Sequence, residues 1–370
     1  MANESIFAGK KILVTGGTGS FGHYIVKELA YKNPEEIRIF SRDEKKQDDM
    51  RYEFREMNNL RFILGDVRNK DSLKVAAKNV DIVFHAAALK QVPGCEYNVY
   101  EAVLTNIVGG KNLVDVAIEE DVEKVIAVST DKAVKPVNSM GMTKALQEKL
   151  MIWGNLNRNG SKTVFASVRY GNVVGSRGSV VPLLKKQIES GEPLTITDPD
   201  MTRFILTLNQ AIKLVFKAAE EAVGGEVFVM KVPSIKIGDL AETMISHIPE
   251  HLKPQIRIIG IRPGEKVNEV LVSEEESYRT VDMGEYFCIL PAMEIKAVKD
   301  KYDNWKRVTF SEYTSGNTDL YTNEQMRQLL EAEDWMPGIP RHIKLTRHPE
   351  ETIEYPVSDR IGIAEEAVLL

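Results

Sequence analysis

The sequence predicts a doubly wound α/β fold, a parallel sheet wrapped by helices, with a smaller C-terminal substrate-binding lobe. Three observations carry this. Short apolar runs alternate with longer amphipathic ones from residue 10 to about Tyr170, a glycine-rich turn joins the first run to the first amphipathic stretch, and prolines then break the rhythm. At 370 residues and 43% hydrophobic the chain is long for one domain and buries a sizeable core, which excludes a disordered or fibrous protein.

The runs 11–15, 37–41, 60–64, 81–85, 124–129 and 162–169 read as strands, whereas 21–31, 71–78 and 100–119 carry apolar positions at helical spacing. Residues 1–170 are therefore expected to form the main domain. Residues 171–330, where Pro182, Pro193, Pro199 and Pro233 separate shorter elements, are expected to form a second lobe interleaved with the first. Residues 331–370 form a C-terminal extension with Pro337, Pro340, Pro349 and Pro356 among charges, and no function is read from it. A cleft between the lobes is the natural ligand site.

With 48 basic and 54 acidic side chains the net charge is −6, which leaves no electrostatic footprint for nucleic acid or an anionic membrane. Any bound phosphate must be met locally. Cys95 and Cys288 lie far apart without paired spacing or a His cluster, so two reduced thiols are expected and neither a disulfide framework nor a metal site. The stretch 1–11 has no apolar signal core, and no apolar run approaches the roughly 18 residues of a spanning helix. A soluble, cytoplasmic protein without membrane insertion is expected.

The first strand runs directly into Thr15–Gly16–Gly17–Thr18–Gly19–Ser20–Phe21–Gly22, with glycines at 16, 19 and 22 where a helix must begin. Gly16 permits the tight turn, Gly19 lets backbone amides approach a pyrophosphate, and Gly22 lets the helix pack close to the sheet. With a strand before, a helix after and the alternating pattern beyond, this is the turn of a Rossmann-type dinucleotide site, with Thr18, Ser20 and Phe21 beside the glycines. The second strand ends Ile39–Phe40–Ser41–Arg42–Asp43. Enzymes using NAD commonly place an acidic side chain there, but Ser41 and Arg42 hold that place, and a guanidinium suits a 2′-phosphate. NADP is favoured, with NAD or dual use the alternative that Asp43 and the solvated run 44–49 raise. Asp66 reads either as an acceptor for the adenine amino group or as a turn carboxylate.

Together with that turn, His85–Ala86–Ala87–Ala88, Thr105–Asn106, Ser129–Thr130–Asp131–Lys132 and Arg169–Tyr170–Gly171–Asn172 resemble the extended short-chain dehydrogenase/reductases that act on nucleotide sugars. More narrowly, the runs 39–44, 88–93, 194–203 and 262–266 resemble the inverting UDP-N-acetylglucosamine 4,6-dehydratases (5-epimerising) of capsule and O-antigen synthesis. The likeness covers about residues 8 to 330, and the runs 282–287 and 314–318 extend it toward the branch making L-fucosamine-type precursors. The resemblance implies that Lys46, Val67, Ala86, Ala87, Ala88, Asn106 and Lys144 also meet the cofactor, and that the protein is a homo-oligomer, dimer or hexamer.

One departure matters. The family's usual Tyr, four residues before a Lys, is replaced in Met140–Gly141–Met142–Thr143–Lys144. A thioether cannot take a proton from a sugar hydroxyl. Residues four apart share a helix face, so Lys144 is expected to reach the nicotinamide ribose while Met140 points at the substrate, with ordinary packing the alternative. The capsule branch is similar in carrying Met there.

The implied chemistry is oxidation at carbon 4, which acidifies the carbon-5 proton, then loss of water across carbons 5 and 6 and return of hydride to carbon 6. Asp131 is the candidate acid for the departing hydroxyl, which requires a pKa raised by burial from about 3.9. Lys132 is the candidate carbon-5 base, its pKa pushed down from about 10.4 by burial and by neighbouring Lys144 and Lys90. Lys144 or Lys132, directly or through Thr130 or water, is left to deprotonate the 4-hydroxyl. A strand-end salt bridge between Asp131 and a lysine is the plainer alternative. The family's retaining dehydratases are similar but carry Asp–Glu, so Asp–Lys implies inversion at carbon 5.

For the UDP-sugar, Asn172, Arg177, Arg203 and Arg262 fall on loop-like stretches of the second lobe. The resemblance implies that Asn172 and Arg262 meet the pyrophosphate, Arg203 the nucleotide and Glu265 the uridine ribose, while Lys90 and Gln91 line the sugar pocket. Two other functions stay in view: a UDP-hexose 4-epimerase, which needs no acid–base pair at 131 and 132, and a catalytically retired NADP-binding protein, motivated by Met140.

Overall fold

The computed structural model describes residues 5–176 and 178–339. Its first part runs β1 (Lys11–Thr15), α1 (Ser20–Ala30), β2 (Glu36–Ser41), α2 (Glu44–Glu53), β3 (Leu60–Leu64), α3 (Lys70–Ala77), β4 (Ile82–His85), α4 (Val92–Tyr97), α5 (Val99–Ala102), α6 (Gly109–Glu119), β5 (Lys124–Val128), α7 (Ser139–Leu156) and β6 (Val164–Arg169). There follow β7 (Asn172–Val173), α8 (Val180–Glu189), β8 (Leu194–Ile196), β9 (Thr202–Leu206), α9 (Leu208–Glu221), β10 (Val227–Met230), β11 (Ser234–Lys236) and α10 (Ile237–Ile245). The described chain closes with β12 (Ile256–Ile258), β13 (Val270–Val272), α11 (Glu274–Ser277), β14 (Thr280–Asp282), β15 (Tyr286–Ile289), α12 (Lys296–Tyr302), β16 (Tyr313–Thr314) and α13 (Asn323–Ala332).

Nine strands form one sheet in the order β14-β15-β10-β6-β5-β4-β1-β2-β3. From β3 to β10 every pairing is parallel, and β15 and β14 add antiparallel at one edge. Strand order therefore reverses between β1 and β4, which opens a crevice outside their carboxyl ends. This is the expected doubly wound, Rossmann-type α/β fold.

Alternation explains why these runs are strands. Ile12 and Val14 of β1, Phe84 of β4 and Ile126 of β5 enter one core cluster, while Leu13, Val83 and Val125 enter the cluster on the other face. A side-chain period of two delivers apolar groups to both faces, as a sheet covered on both sides requires. A third cluster, with Leu184, Leu194, Leu240 and Met244, holds α8, β8 and α10 together.

One local expectation is corrected. The helix expected over 100–119 is not continuous, because a π-helical turn over Val103–Val108 separates α5 from α6. The wider turn inserts a residue without disturbing the apolar spacing around it, and such turns mark functional sites. The solvated run 44–49 is helical, because Asp43 caps α2 by accepting from the Lys46 amide at 3.0 Å.

Arg169, at the end of β6, clamps three elements. Its guanidinium donates to Glu148 of α7 at 2.8 and 2.6 Å and to Glu276 of α11 at 2.7 and 2.8 Å, Arg169 and Glu148 being buried and Glu276 half-buried. Arg169→Met leaves buried Glu148 without its cation, while Glu276 keeps only the longer pairing with Arg279 at 3.6 Å. Equilibrium urea unfolding should show a loss of about 3–5 kcal/mol.

Among the described residues no helix is long and apolar enough to cross a membrane, and no cluster of His, Cys, Asp and Glu could hold a metal ion. Cys95 and Cys288 are buried free thiols.

Candidate active site

A cleft of about 300 Å³ opens at the carboxyl ends of β1 to β4. Gly16, Thr18 and Gly19 line it on the β1 side, Ser41, Arg42 and Lys46 on the β2 side, and Asp66, Val67, Ala86, Ala87 and Ala88 across it. Gly19, the N-cap of α1, provides no side chain to satisfy the first amides of that helix, which leaves them for an anion. Ser20, Phe21 and Gly22 open α1, and the Phe21 ring stacks on Tyr170 with centroids 6.2 Å apart. These residues fit a dinucleotide, with its pyrophosphate at the turn and its adenosine ribose near Ser41 and Arg42.

The carboxylate that raised the NAD alternative is already engaged. Asp43 caps α2 and pairs with the Lys46 ammonium at 2.5 Å, and those hydrogen bonds hold its carboxyl below the usual range. The Arg42 side chain, 55% exposed, stands 3.7 Å from Asp66 on the cleft rim. Burial works against the Asp66 charge, yet Arg68 at 2.7 Å and Arg42 outweigh it and hold the carboxyl below the usual range. Arg42→Ala is expected to weaken NADP⁺ more than NAD⁺ in parallel titrations, and equal losses would remove the 2′-phosphate argument. Asn106 stands behind the cleft, fully buried, its amide bonded to the Leu89 backbone at 2.8 and 3.0 Å and to Thr143 at 2.9 Å. It shapes the 86–89 loop from the π-helical turn.

Beyond β5 the chain makes a single 3₁₀ turn, Asp131–Ala133, capped by Thr130. Asp131 is 1% exposed, and its Oδ1 accepts from Thr130 Oγ1 at 2.8 Å and from Lys132 Nζ at 3.0 Å. Its Oδ2 has no protein donor among the described residues. Helix α7 lies against this turn because residue 141 is glycine: a Cβ there would stand 2.1 Å from the Lys132 carbonyl oxygen. Asn138 caps α7 and donates to the Gly264 carbonyl at 2.8 Å, while Lys266 donates to Val134 O at 2.6 Å. These bonds bring the 262–266 motif to this turn.

Two expectations about this turn are corrected. Met140 does not project toward a substrate. It is 3% exposed, among Cys95 and Ala102 with Leu89 and Val92 against them, where a thioether gains more from burial than from a polar cleft. The Lys132 amine is not pushed down either. Burial acts to lower its pKa, but Asp131 and Glu269, 3.6 Å away, outweigh burial and an opposing Arg203 and raise it. Lys144 behaves as a buried lysine: burial, partly offset by Glu148, brings it down to about 8. Its ammonium donates to Val128 O at 2.5 Å and to Gln147 Oε1.

The residues expected to meet the UDP-sugar are placed unevenly. Arg203 is 9% exposed and donates to the Thr202 and Val267 carbonyls at 2.7 and 3.1 Å, so much of its guanidinium is taken. Asn172 carries a buried Oδ1 without a protein donor among the described residues. Arg262 and Glu265 sit half-buried in one turn, Lys90 and Gln91 are exposed at the start of α4, and Arg177 lies outside the described residues.

A profile of the family described as polysaccharide biosynthesis protein matches residues 12–291. The chain belongs to that family. An uncharacterized membrane protein of Methanocaldococcus jannaschii is 51% identical over 293 residues, 78% of this chain and 88% of its own. A UDP-glucose 4-epimerase of Rickettsia bellii is 45% identical over 339 residues, 90% of this chain and 98% of its own. Among solved structures, Pen from Bacillus thuringiensis superposes with a TM-score of 0.83 at 39% identity, covering 89% of this chain and 99% of that one.

Three residues of this neighbourhood, His85, Gln147 and Glu269, have no role that the sequence assigned. His85 is fully buried, hydrogen-bonded through Nδ1 to Thr15 Oγ1 at 2.7 Å and through Nε2 to Gln147 at 2.9 Å. Burial and Lys144 bring its pKa down to about 3, so it is neutral and, accepting from the Gln147 amide, keeps its proton on Nδ1. Gln147, three residues after Lys144, passes this order to the lysine. Its helical spacing was the available signal. Glu269 gave a weaker one, an acidic side chain next to an apolar strand.

Proposed function

We propose that this protein is an NADP-dependent UDP-N-acetylglucosamine 4,6-dehydratase that inverts carbon 5. The product is UDP-2-acetamido-2,6-dideoxy-L-arabino-hex-4-ulose, made for capsular polysaccharide or O-antigen. The observation that carries the reading is the pair of buried Asp131 and partly exposed Lys132 just after β5, with a carboxylate oxygen to spare. Removing a carbon-5 proton and expelling a 6-hydroxyl needs a base and an acid side by side. Exchange of configuration at carbon 4 removes no carbon-5 proton and expels no hydroxyl, so it needs no such pair.

Bound NADP⁺ supplies the hydride acceptor for carbon 4 and the donor for carbon 6. The chain supplies the proton chemistry. A proton passing from Lys132 Nζ to Asp131 Oδ1 across 3.0 Å turns the ion pair into a neutral amine and a carboxylic acid, the two forms elimination requires. A sugar that expels water from the cleft favours that neutral pair, because separated charges lose their solvation. The amine then takes the carbon-5 proton and the carboxyl protonates the departing hydroxyl. With Met140 packed away, the 4-hydroxyl proton falls to Lys144, the lysine that burial brings nearest neutrality, directly or through Thr130 or water.

On this reading residues 1–170 hold cofactor and catalytic groups and 171–330 the UDP-sugar, in a cytoplasmic homo-oligomer, dimer or hexamer. The Rickettsia relatives support a UDP-sugar substrate and favour a second reading, a UDP-hexose 4-epimerase. Mass spectrometry of UDP-N-acetylglucosamine after incubation with the protein and catalytic NADP⁺ separates the two. A product lighter by one water supports the dehydratase, and a chromatographically resolved second species of unchanged mass supports the epimerase.

A further inference from the structure

Lys132 is met from both lobes. Asp131 approaches its amine from the turn after β5, and Glu269, immediately before β13, approaches from the second lobe with Oε1 3.6 Å from Nζ. Glu269 is 3% exposed, and its backbone is pinned: its N–H donates to Ser315 Oγ at 2.9 Å and its carbonyl accepts from the Ser315 amide at 2.8 Å. Ser315 is itself fully buried and bonded to Thr202 Oγ1 at 2.6 Å. This carboxylate therefore stands on a fixed support. Its Oε2, like Oδ2 of Asp131, has no protein donor among the described residues.

We propose that Glu269 is a positioning residue for Lys132, holding the amino group from the lobe opposite Asp131 so that the amine stays in place once its proton has passed to Asp131. The proposal rests on the dehydratase reading for its consequence in turnover. The physical reason is a change of partner strength. While Lys132 is charged, both carboxylates attract it. Once the Lys132–Asp131 pair is neutral, Asp131 no longer does, and a lysine on a four-carbon stem is free to swing. Glu269 remains an ionised acceptor for an amine N–H and keeps the nitrogen where the carbon-5 proton must be taken.

The charged groups that face the amine are Asp131 on its own turn, Glu269, Arg203 from β9 and Lys266 from the loop before β13. Arg203 Nε stands 3.9 Å from the same Glu269 oxygen, and Lys266 is turned to Val134 O at 2.6 Å. Removing the Glu269 charge leaves Asp131 alone against two cations, so the neutral amine becomes easier to form. The same substitution frees the nitrogen to wander. Glu269→Gln is therefore expected to make Lys132 more reactive toward a small acylating reagent and less competent in turnover.

The test is pH-dependent competitive acetylation of the full-length protein with NADP⁺ bound, read at Lys132 by peptide mass spectrometry. For Glu269→Gln the Lys132 titration midpoint moves to lower pH, and labelling at one fixed pH below both midpoints rises about tenfold, the gain expected when one adjacent carboxylate is removed. Glu269→Asp, which keeps the charge but retracts it, falls in between and serves if the Gln variant does not fold. On the same reading kcat for Glu269→Gln falls, KM changes little, and the pH optimum moves down with the labelling midpoint. Identical midpoints in wild type and both variants overturn the proposal, as does lost turnover without a moved midpoint, the mark of a merely structural residue. Labelling needs no catalysis, so a failure of the dehydratase reading shows in the product and not in this titration.

Discussion

Lys132→Ala is expected to lower the rate of water loss from the nucleotide sugar by about 10²–10⁴-fold, the usual worth of a general base, while UDP-sugar binding stays near the wild-type value. The side chain is 22% exposed and its ammonium contacts are to Asp131 and Glu269, so truncation removes a base without opening the core. Its backbone turn, capped by Thr130 and pressed against Gly141, does not depend on the side chain. Stopped assays that follow product by mass spectrometry, paired with calorimetric titration of UDP, separate the two effects. Wild-type turnover in this variant removes Lys132 from the mechanism, and lost binding with lost turnover makes it a substrate contact.

Gly22→Ala is expected to abolish measurable NADP⁺ binding and to lower stability as well. A Cβ at residue 22 would stand 2.4 Å from the Gly16 carbonyl oxygen and 2.6 Å from the Gly17 Cα. Both are backbone atoms of the turn itself, so relief comes only by moving α1 away from the glycine loop, and the helix amides move with it. Overpacking of this kind costs about 1–3 kcal/mol. Cofactor titration and thermal melts measure the two losses, with Gly338→Ala as the control, because a Cβ there meets nothing within 4 Å. Unchanged cofactor affinity in Gly22→Ala would show that the nucleotide is not held at this helix.

What the sequence could reveal follows from the range of the forces involved. Strand β1 and its glycine turn are legible because alternation and missing Cβ atoms are local facts, and the residues lining the cleft around Gly16, Arg42 and Ala87 follow from them. The π-helical turn at Val103–Val108 was not legible, since one inserted residue leaves the apolar spacing on either side intact. Met140 was misjudged for a different reason. Its position four residues before Lys144 is a helical fact, but where its side chain goes is set by Cys95 and Ala102 on α4 and α5. The Lys132 charge depended on Glu269, which chain folding brings from far along the sequence and no spacing rule connects to it. Local geometry was readable, and charge balance at the turn after β5 was not.

The most direct measurement is proton NMR of the purified protein with UDP-N-acetylglucosamine and catalytic NADP⁺ in D₂O. A new deoxy methyl signal, with carbon 5 deuterated and in the L configuration, is the expected result, because a base must remove the carbon-5 proton and solvent must return it on the opposite face. Appearance of the galacto isomer, with carbon 5 protonated and no 6-deoxy methyl signal, would contradict the assignment of Asp131 and Lys132 as an elimination pair.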